Sequence, residues 1–145
     1  MTDRILKFSL QCRTSTMTYY SQELERIKKI CFSNEVQLER AINTKKYIDQ
    51  HFDSLINLDV LAASSHTSKY HLIRVFKKYY GTTPRQYLIN KRLSKAKEYL
   101  REGRSVSDTC FSIGFESINS FSNLFKAKNG MSPSRYRRAI FDKSE

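Results

Sequence analysis

The sequence predicts an all-α fold in which one two-helix unit occurs twice, joined by a long helix, with an extra helical segment in front. Three observations carry this. First, FKKYYGTTPRQY, from Phe76 to Tyr87, returns as FKAKNGMSPSRY, from Phe125 to Tyr136. Second, apolar residues recur at helical spacing, and no stretch alternates with the period of two that marks a strand. Third, the few glycines and the only two prolines stand at helix boundaries, where they stop and start helices.

The elements follow in order. Residues 1–19 show no clean period and are expected to form an arm. SQELERIKKICF, residues 21–32, places Leu24, Ile27 and Cys31 on one helical face behind Ser21 as a possible N-cap. Ser33 and Asn34 are expected to interrupt it. A longer helix follows over 35–52, with Leu38, Ile42, Ile48 and Phe52 inward. Asn57 caps a short helix with Leu58, Leu61 and Ala62 as its apolar stripe.

After SSHTS, Ser68 caps a second helix. It turns Leu72, Val75, Phe76 and Tyr79 one way and Lys69, Tyr70, Ile73, Arg74 and Lys77 the other. Gly81 stops it as a residue able to take positive φ. Thr83-Pro84 is a cap followed by proline at the first helical position. The linking helix runs from Pro84 to about Arg101, with Leu88, the Arg92 stem or Leu93, Ala96 and Leu100 inward, and Gly103 ends it.

The pattern then restarts. SVSDTCFSIG is a short helix expected from near Ser107 to Gly114. Ser117 caps INSFSNLFKAKN, with Phe121, Leu124 and Phe125 inward and Gly130 as the stop. Ser132-Pro133 opens a last short helix with Tyr136 on its inner face. Ser68 and Ser117, Phe76 and Phe125, Gly81 and Gly130, Pro84 and Pro133, and Tyr87 and Tyr136 all stand 49 residues apart. Such a period marks a repeated supersecondary unit. The expected division is 1–34 for the arm and first helix and 35–145 for the rest: a first unit at 35–83, the linking helix at 84–102 and a second unit at 103–145.

Charge narrows the partner. The net charge is +12, and it is uneven: residues 1–56 carry +2 and residues 57–145 carry +10. A field of that sign attracts polyanions, either nucleic acid or an anionic membrane surface. No apolar run is long enough to span a membrane, and the N-terminus lacks the apolar core of a signal peptide. Three cysteines at wide spacing fit neither a disulfide framework nor a CxxC metal site, so a reducing cytoplasm is expected. The three histidines have no Asp/Cys/Ser constellation, and there is no glycine-rich phosphate loop. Neither an enzyme, a metal nor a cofactor is expected.

A short helix, a tight turn and a second amphipathic helix make a helix-turn-helix unit, whose second helix can enter the DNA major groove. Two such units carrying most of the positive charge point to double-stranded DNA as the partner. From about Asn57 to Arg138 the sequence resembles the DNA-binding domain of the AraC/XylS transcription regulators. The second unit, SVSDTCFSIGFESINSFSNLFKAKNGMSPSRYRR, carries the sharpest likeness, through its Ile-Gly-Phe turn, Phe-x-x-x-Phe-Lys and Gly-x-Ser-Pro-x-x-Tyr-Arg. The first matches through SKYHLIRVFKKYYGTTPRQYL.

The resemblance implies a bacterial transcription regulator, expected to be an activator, that places two recognition helices in successive major-groove segments. Its recognition positions fall on Ser68, Lys69, Tyr70, Ile73, Arg74 and Lys77, and on Ser117, Ile118, Asn119, Ser120, Ser122, Asn123 and Lys126. Of these, Tyr70, Ile73, Arg74, Ile118, Asn119, Ser122 and Asn123 are expected to read bases. Arg74 suits guanine O6 and N7, the asparagines suit adenine, and the isoleucines suit thymine methyls, unless the helical phase is off by one. The DNA backbone is expected to meet Ser68, Lys69, Lys77, Lys78, Ser117, Ser120, Lys126, Arg135, Arg137 and Arg138, aided by the helix N-termini.

Two departures from the family pattern stand out. His66 occupies a turn position where glycine is common. Asn123 stands where many relatives carry arginine, which implies weaker or altered base reading by the second unit. Two further readings stay open: an architectural protein that binds DNA with little sequence preference, and the DNA-binding end of a longer sensor protein. A repair protein with an alkyl-acceptor cysteine would need a cysteine-rich metal segment, which is absent from this sequence. With both reading heads in one chain, a monomer on DNA is expected, located in the cytoplasm and at the nucleoid when bound, with RNA polymerase as a candidate second partner.

Overall fold

The computed structural model describes the backbone of residues 3–142 and the side chains of residues 21–142. Among these residues there are seven α-helices and no strand. They are α1 (Asp3–His51), α2 (Leu58–Ser64), α3 (Lys69–Tyr80), α4 (Pro84–Arg101), α5 (Val106–Ser112), α6 (Ile118–Asn129) and α7 (Pro133–Phe141). Two compact units divide the chain, residues 1–39 and residues 40–145.

In the first unit the expected arm and the expected break at Ser33-Asn34 are both replaced by continuous helix, since α1 is unbroken from Asp3. Serine and asparagine are only mediocre helix formers, and two of them cannot end a helix without a capping geometry. The side chains of 1–20 lie outside the described residues. Beyond them, Leu24, Ile27 and Phe32 are not covered but 53%, 49% and 69% exposed.

The buried face of α1 also differs from the expected one. Ala41, Thr44 and Ile48 are fully buried, while Leu38 is exposed and Ile42 only half-buried. The Thr44 and Ser65 hydroxyls meet at 2.8 Å in the interior, and Thr44 also donates to the Arg40 carbonyl at 2.8 Å. Ile48 joins Leu61, Ala62, Leu72 and Leu88 in one core cluster. Leu93, Ala96, Leu100, Cys110, Ile113, Phe121 and Phe125 form the other. The long helix α4 supplies residues to both, through Leu88 on one side and Leu93 onward on the other.

The repeat is visible as matched packing. Phe76 meets Tyr87 edge-on at 5.7 Å and 66°, and Phe125 meets Tyr136 at 5.6 Å and 69°. Each pair ties a recognition-type helix to the helix after it. The stops and starts repeat as well. Gly81 and Gly130 are left-handed at φ 70 and 78. Thr83 and Ser132 cap the two proline-led helices through Gln86 N and Arg135 N.

The repeat is not uniform, however. α2 and α5 begin 48 residues apart, whereas α3 and α6 begin 49 apart. The second turn is therefore one residue longer. The left-handed position of each turn falls on His66 (φ 49) and Gly114 (φ 80), so histidine does take the place of glycine in the first helix-turn-helix. α5 starts one residue earlier than expected. Ser105 accepts from Asp108 N at 3.0 Å and donates to the Asp108 carboxylate at 2.6 Å. This reciprocal cap was legible in the S-x-x-D spacing.

Candidate nucleic-acid interface

α3 and α6 are each 12 residues long and are preceded by a serine whose hydroxyl accepts the N–H three residues on. Ser68 accepts from His71 N at 3.3 Å and Ser117 from Ser120 N at 3.4 Å. Both serines therefore hold the start of their helices. Buried Leu72, Val75 and Phe76 hold α3, and buried Phe121 and Phe125 hold α6. The opposite face of each helix is left outward.

On α3, Lys69, Tyr70, Arg74, Lys77 and Lys78 are exposed, Tyr70 at 88%. Lys69 pairs with Asp59 at the start of α2. Both groups are exposed, so the pair orients the side chain more than it stabilises the fold. Arg74 Nη2 lies 3.3 Å from His71 Nδ1, one turn back. Lys78 lies 5.2 Å over the Tyr79 ring. Ile73 departs from the exposed set. It is half-buried and lines a cleft of about 730 Å³ with Leu58, Leu61, Leu88, Phe115 and Leu124. Its side chain sits at the border between the outward face and the interior, which is why an apolar residue is tolerated there.

On α6, Ile118, Asn119, Ser120, Asn123 and Lys126 are exposed and Ser122 is half-buried. This face is polar but less basic than that of α3, with its cations Lys126 and Lys128 confined to the last turn. On α7, Arg135 and Arg138 are exposed. Arg137 is half-buried and donates to the Arg104 carbonyl at 3.3 Å. One of the three expected anchors thus also ties α7 to the loop between α4 and α5.

Polar contacts that the sequence reading did not foresee fix the two helix-turn-helix units to one another. Arg92 of α4 donates from Nε to the Phe52 carbonyl at 2.7 Å and from Nη2 to the Ser54 carbonyl at 2.8 Å. Its guanidinium also lies 5.5 Å over the Phe115 ring, in the turn of the second unit. Burial pulls its pKa down, and Asp53 opposes that shift. Gly114 packs against the same loop. Nearby, Asp49 receives Lys45 at 2.7 Å, Lys91 at 3.1 Å and the Tyr87 hydroxyl at 3.0 Å. Desolvation pushes that carboxyl's pKa up, but these hydrogen bonds outweigh it and leave it lowered. The helical period places the Arg92 stem, or Leu93, inward, and the structure buries Leu93 and half-buries Arg92, but the carbonyl partners of the guanidinium were not foreseen. Its position on the inward stripe of α4 was the available signal.

Among the described residues there is no cluster of His, Cys, Asp or Glu suited to a metal, and no helix long and apolar enough to cross a membrane.

The geometry has close counterparts. A family model described as a helix-turn-helix domain matches residues 61–139. The regulatory protein SoxS of Salmonella typhimurium is 33% identical over 96 residues, covering 66% of this chain and 90% of SoxS. The bifunctional transcriptional activator and DNA repair enzyme AdaA of Bacillus subtilis is 36% identical over 94 residues, covering 64% of this chain and 44% of AdaA. LumQ of Photobacterium leiognathi, a probable transcriptional regulator, is 31% identical over 132 residues, covering 89% of this chain and 48% of LumQ. The chain thus spans less than half the length of AdaA and of LumQ. Among solved structures, the DNA-binding domain of the global transcriptional factor AdpA, in complex with a target DNA, superposes with a TM-score of 0.68 at 26% identity, over 71% of this chain and 94% of that one. The repeated units, their capped outward helices and these similarities together place the chain in the AraC/XylS family of helix-turn-helix transcription regulators.

Proposed function

We propose that this chain is a sequence-specific transcription regulator, acting as an activator, that inserts α3 and α6 into two adjacent major-groove segments on one face of double-stranded DNA. The observation that carries this reading is the pair of equivalent helices, each capped, each with a polar outward face, held at opposite ends of α4. That helix has 18 residues, about 27 Å at 1.5 Å per residue. This suits two insertions about one DNA turn apart, ~34 Å. Because both heads lie in one chain, one copy fills one asymmetric site and needs no symmetry partner. The similar DNA-binding domain of AdpA is solved in complex with a target DNA, which supports DNA as the partner.

Within this reading Arg74, Tyr70, Asn119, Ser122 and Asn123 face base edges, with Ile73 and Ile118 against methyl groups at the margins. Lys69, Lys77, Lys78, Lys126, Arg135 and Arg138 meet phosphates, joined by the helix starts at Ser68, Ser117 and Ser120. Arg137 contributes there while holding α7. α3 supplies more charge and the stronger base-reading side chain, so it anchors the site, and α6 modulates it. RNA polymerase is the second partner that an activator requires, and the cytoplasmic nucleoid is the setting.

Selection from random duplexes, followed by titration of the selected and a scrambled sequence at fixed salt, tests the proposal. A specificity ratio of about 10³ or more is expected. Equal affinity for both duplexes would replace it with an architectural role.

A further inference from the structure

We propose that α1 joins two copies of this chain through a parallel, in-register, two-stranded coiled coil. The inference does not rest on how the chain reads DNA. Leu24, Ile27, Cys31, Asn34 and Leu38 follow the alternating three- and four-residue spacing of a coiled-coil seam, with Leu24, Cys31 and Leu38 at a and Ile27 and Asn34 at d. The apolar members are in solvent: Leu24 is 53% exposed, Ile27 49% and Leu38 41%, and Cys31 is exposed too. Ile30, 53% exposed at the flanking g position, widens the same stripe. A helix of this length draws its stability mainly from packing an apolar face, and a soluble surface rarely leaves such a row uncovered.

The pattern does not stop at the described side chains. In the sequence a broken form of the register, too interrupted to stand out as a clean period by itself, runs back through Tyr20, Met17, Leu10 and Leu6, with Arg13 as one polar interruption and Asn34 as the other. From Leu6 to Leu38 this is about 48 Å of helix at 1.5 Å per residue. Polar residues in a seam weaken it and penalise shifted pairings.

Charge selects a second copy, in parallel, as the occupant. In a parallel pair a g residue faces the e residue five positions on in the other strand. Here g is Glu23 and e is Lys28. Glu23 of each copy therefore meets Lys28 of the other, twice per dimer, with no like-charge pair at the adjoining g and e positions. Such pairs contribute little energy but set orientation. A dimer so joined carries two sets of reading helices on one tether, which raises the effective concentration of the second set once the first is bound. One copy still fills one site on DNA; it is the open stripe of α1, which a lone chain would leave in solvent, that a second copy covers.

The full chain is measured by sedimentation velocity at tens of micromolar, without DNA. The expected mass is twice the single-chain 17.1 kDa. The double variant Leu24→Asp/Ile27→Asp is expected to run as a single chain while its DNA-binding region melts like the parent. Phe32→Asp, on the helix but outside the seam, is expected to stay paired. Cysteines at a face each other in a parallel in-register pair. Copper-phenanthroline oxidation should therefore give a covalent dimer in the parent and in Cys12→Ser, and none in Cys31→Ser. A single-chain mass for the parent overturns the proposal, as does a dimer that survives Leu24→Asp/Ile27→Asp. A dimer that does not crosslink through Cys31 overturns the parallel in-register pairing.

Discussion

Gly114 lies against Asp53 so closely that a Cβ there would stand 2.6 Å from the Asp53 carbonyl oxygen. The same Cβ would come 2.9 Å from Nη2 of Arg92. The turn of the second helix-turn-helix unit is thus pressed onto the loop that follows α1, and Arg92, beside the same contact, holds that loop by its Phe52 and Ser54 carbonyls. The contact sets how the two reading helices are placed on a common frame.

Two glycines with similar backbone angles should therefore respond differently to alanine. Gly81 has φ 70 and open space around the missing Cβ, whereas Gly114 has φ 80 and a backbone oxygen in the way. Gly81→Ala should cost about 1 kcal/mol, from the left-handed conformation alone. Gly114→Ala should cost about 3 kcal/mol, because the loop must also shift. Thermal melts of the two variants compare them directly. Equal melting temperatures would show that the loop at Asp53 yields freely.

Arg92→Met removes both charged donors and leaves the Phe52 and Ser54 carbonyls without them. A loss of about 2–3 kcal/mol in stability is expected. More telling is binding: affinity for a duplex containing both groove segments should fall further than affinity for a half site read by α3 alone. Equal losses on the two duplexes would mean that Arg92 supports the fold but not the spacing of the heads.

Arg74→Ala should cost about 1–3 kcal/mol on the preferred duplex and relax one base position. His71→Ala, which removes only the ring beside Arg74, should cost less and act at that same position. Lys126→Ala should weaken all duplexes alike and flatten the slope of log K against log salt by about one. If Arg74→Ala lowers preferred and scrambled binding by the same factor, Arg74 holds phosphate instead.

Asp49 connects stability to pH. Its folded pKa lies below the ordinary value of 3.8, so the carboxylate form is favoured by folding. Its contribution is complete above pH 3.8 and fades as pH falls through the lower folded value. Asp49→Asn should cost about 1–2 kcal/mol near pH 7, with little difference from the parent once both are well below that value. Denaturant midpoints at neutral and strongly acidic pH give the comparison. A gap that is the same at both would place the effect in packing and not in charge.

Much of this molecule is local in origin, and the local part was legible. Ser68, Thr83, Ser117 and Ser132 cap helices because a short hydroxyl can reach the N–H three residues on, a choice made within four residues of chain. Gly81 and Gly130 stop α3 and α6 for an equally local reason, the tolerance of positive φ. The 49-residue spacing then reveals the duplication, and the outward faces of α3 and α6 follow from the buried phenylalanines by helical period. What needed the tertiary structure depends on groups far apart in sequence. Nothing near Arg92 says that its guanidinium reaches two carbonyls some forty residues earlier, nor that Gly114 must be bare because Asp53 lies against it. The phase of α1 at Ala41, Thr44 and Ile48 goes with the Ser65 hydroxyl lying within hydrogen-bond reach of Thr44, and the border position of Ile73 with the cleft between α3, α4 and α6. Periodicity gives a helix its apolar side, but where packed neighbours leave that side open, as at Leu24 and Ile27, only the fold shows it.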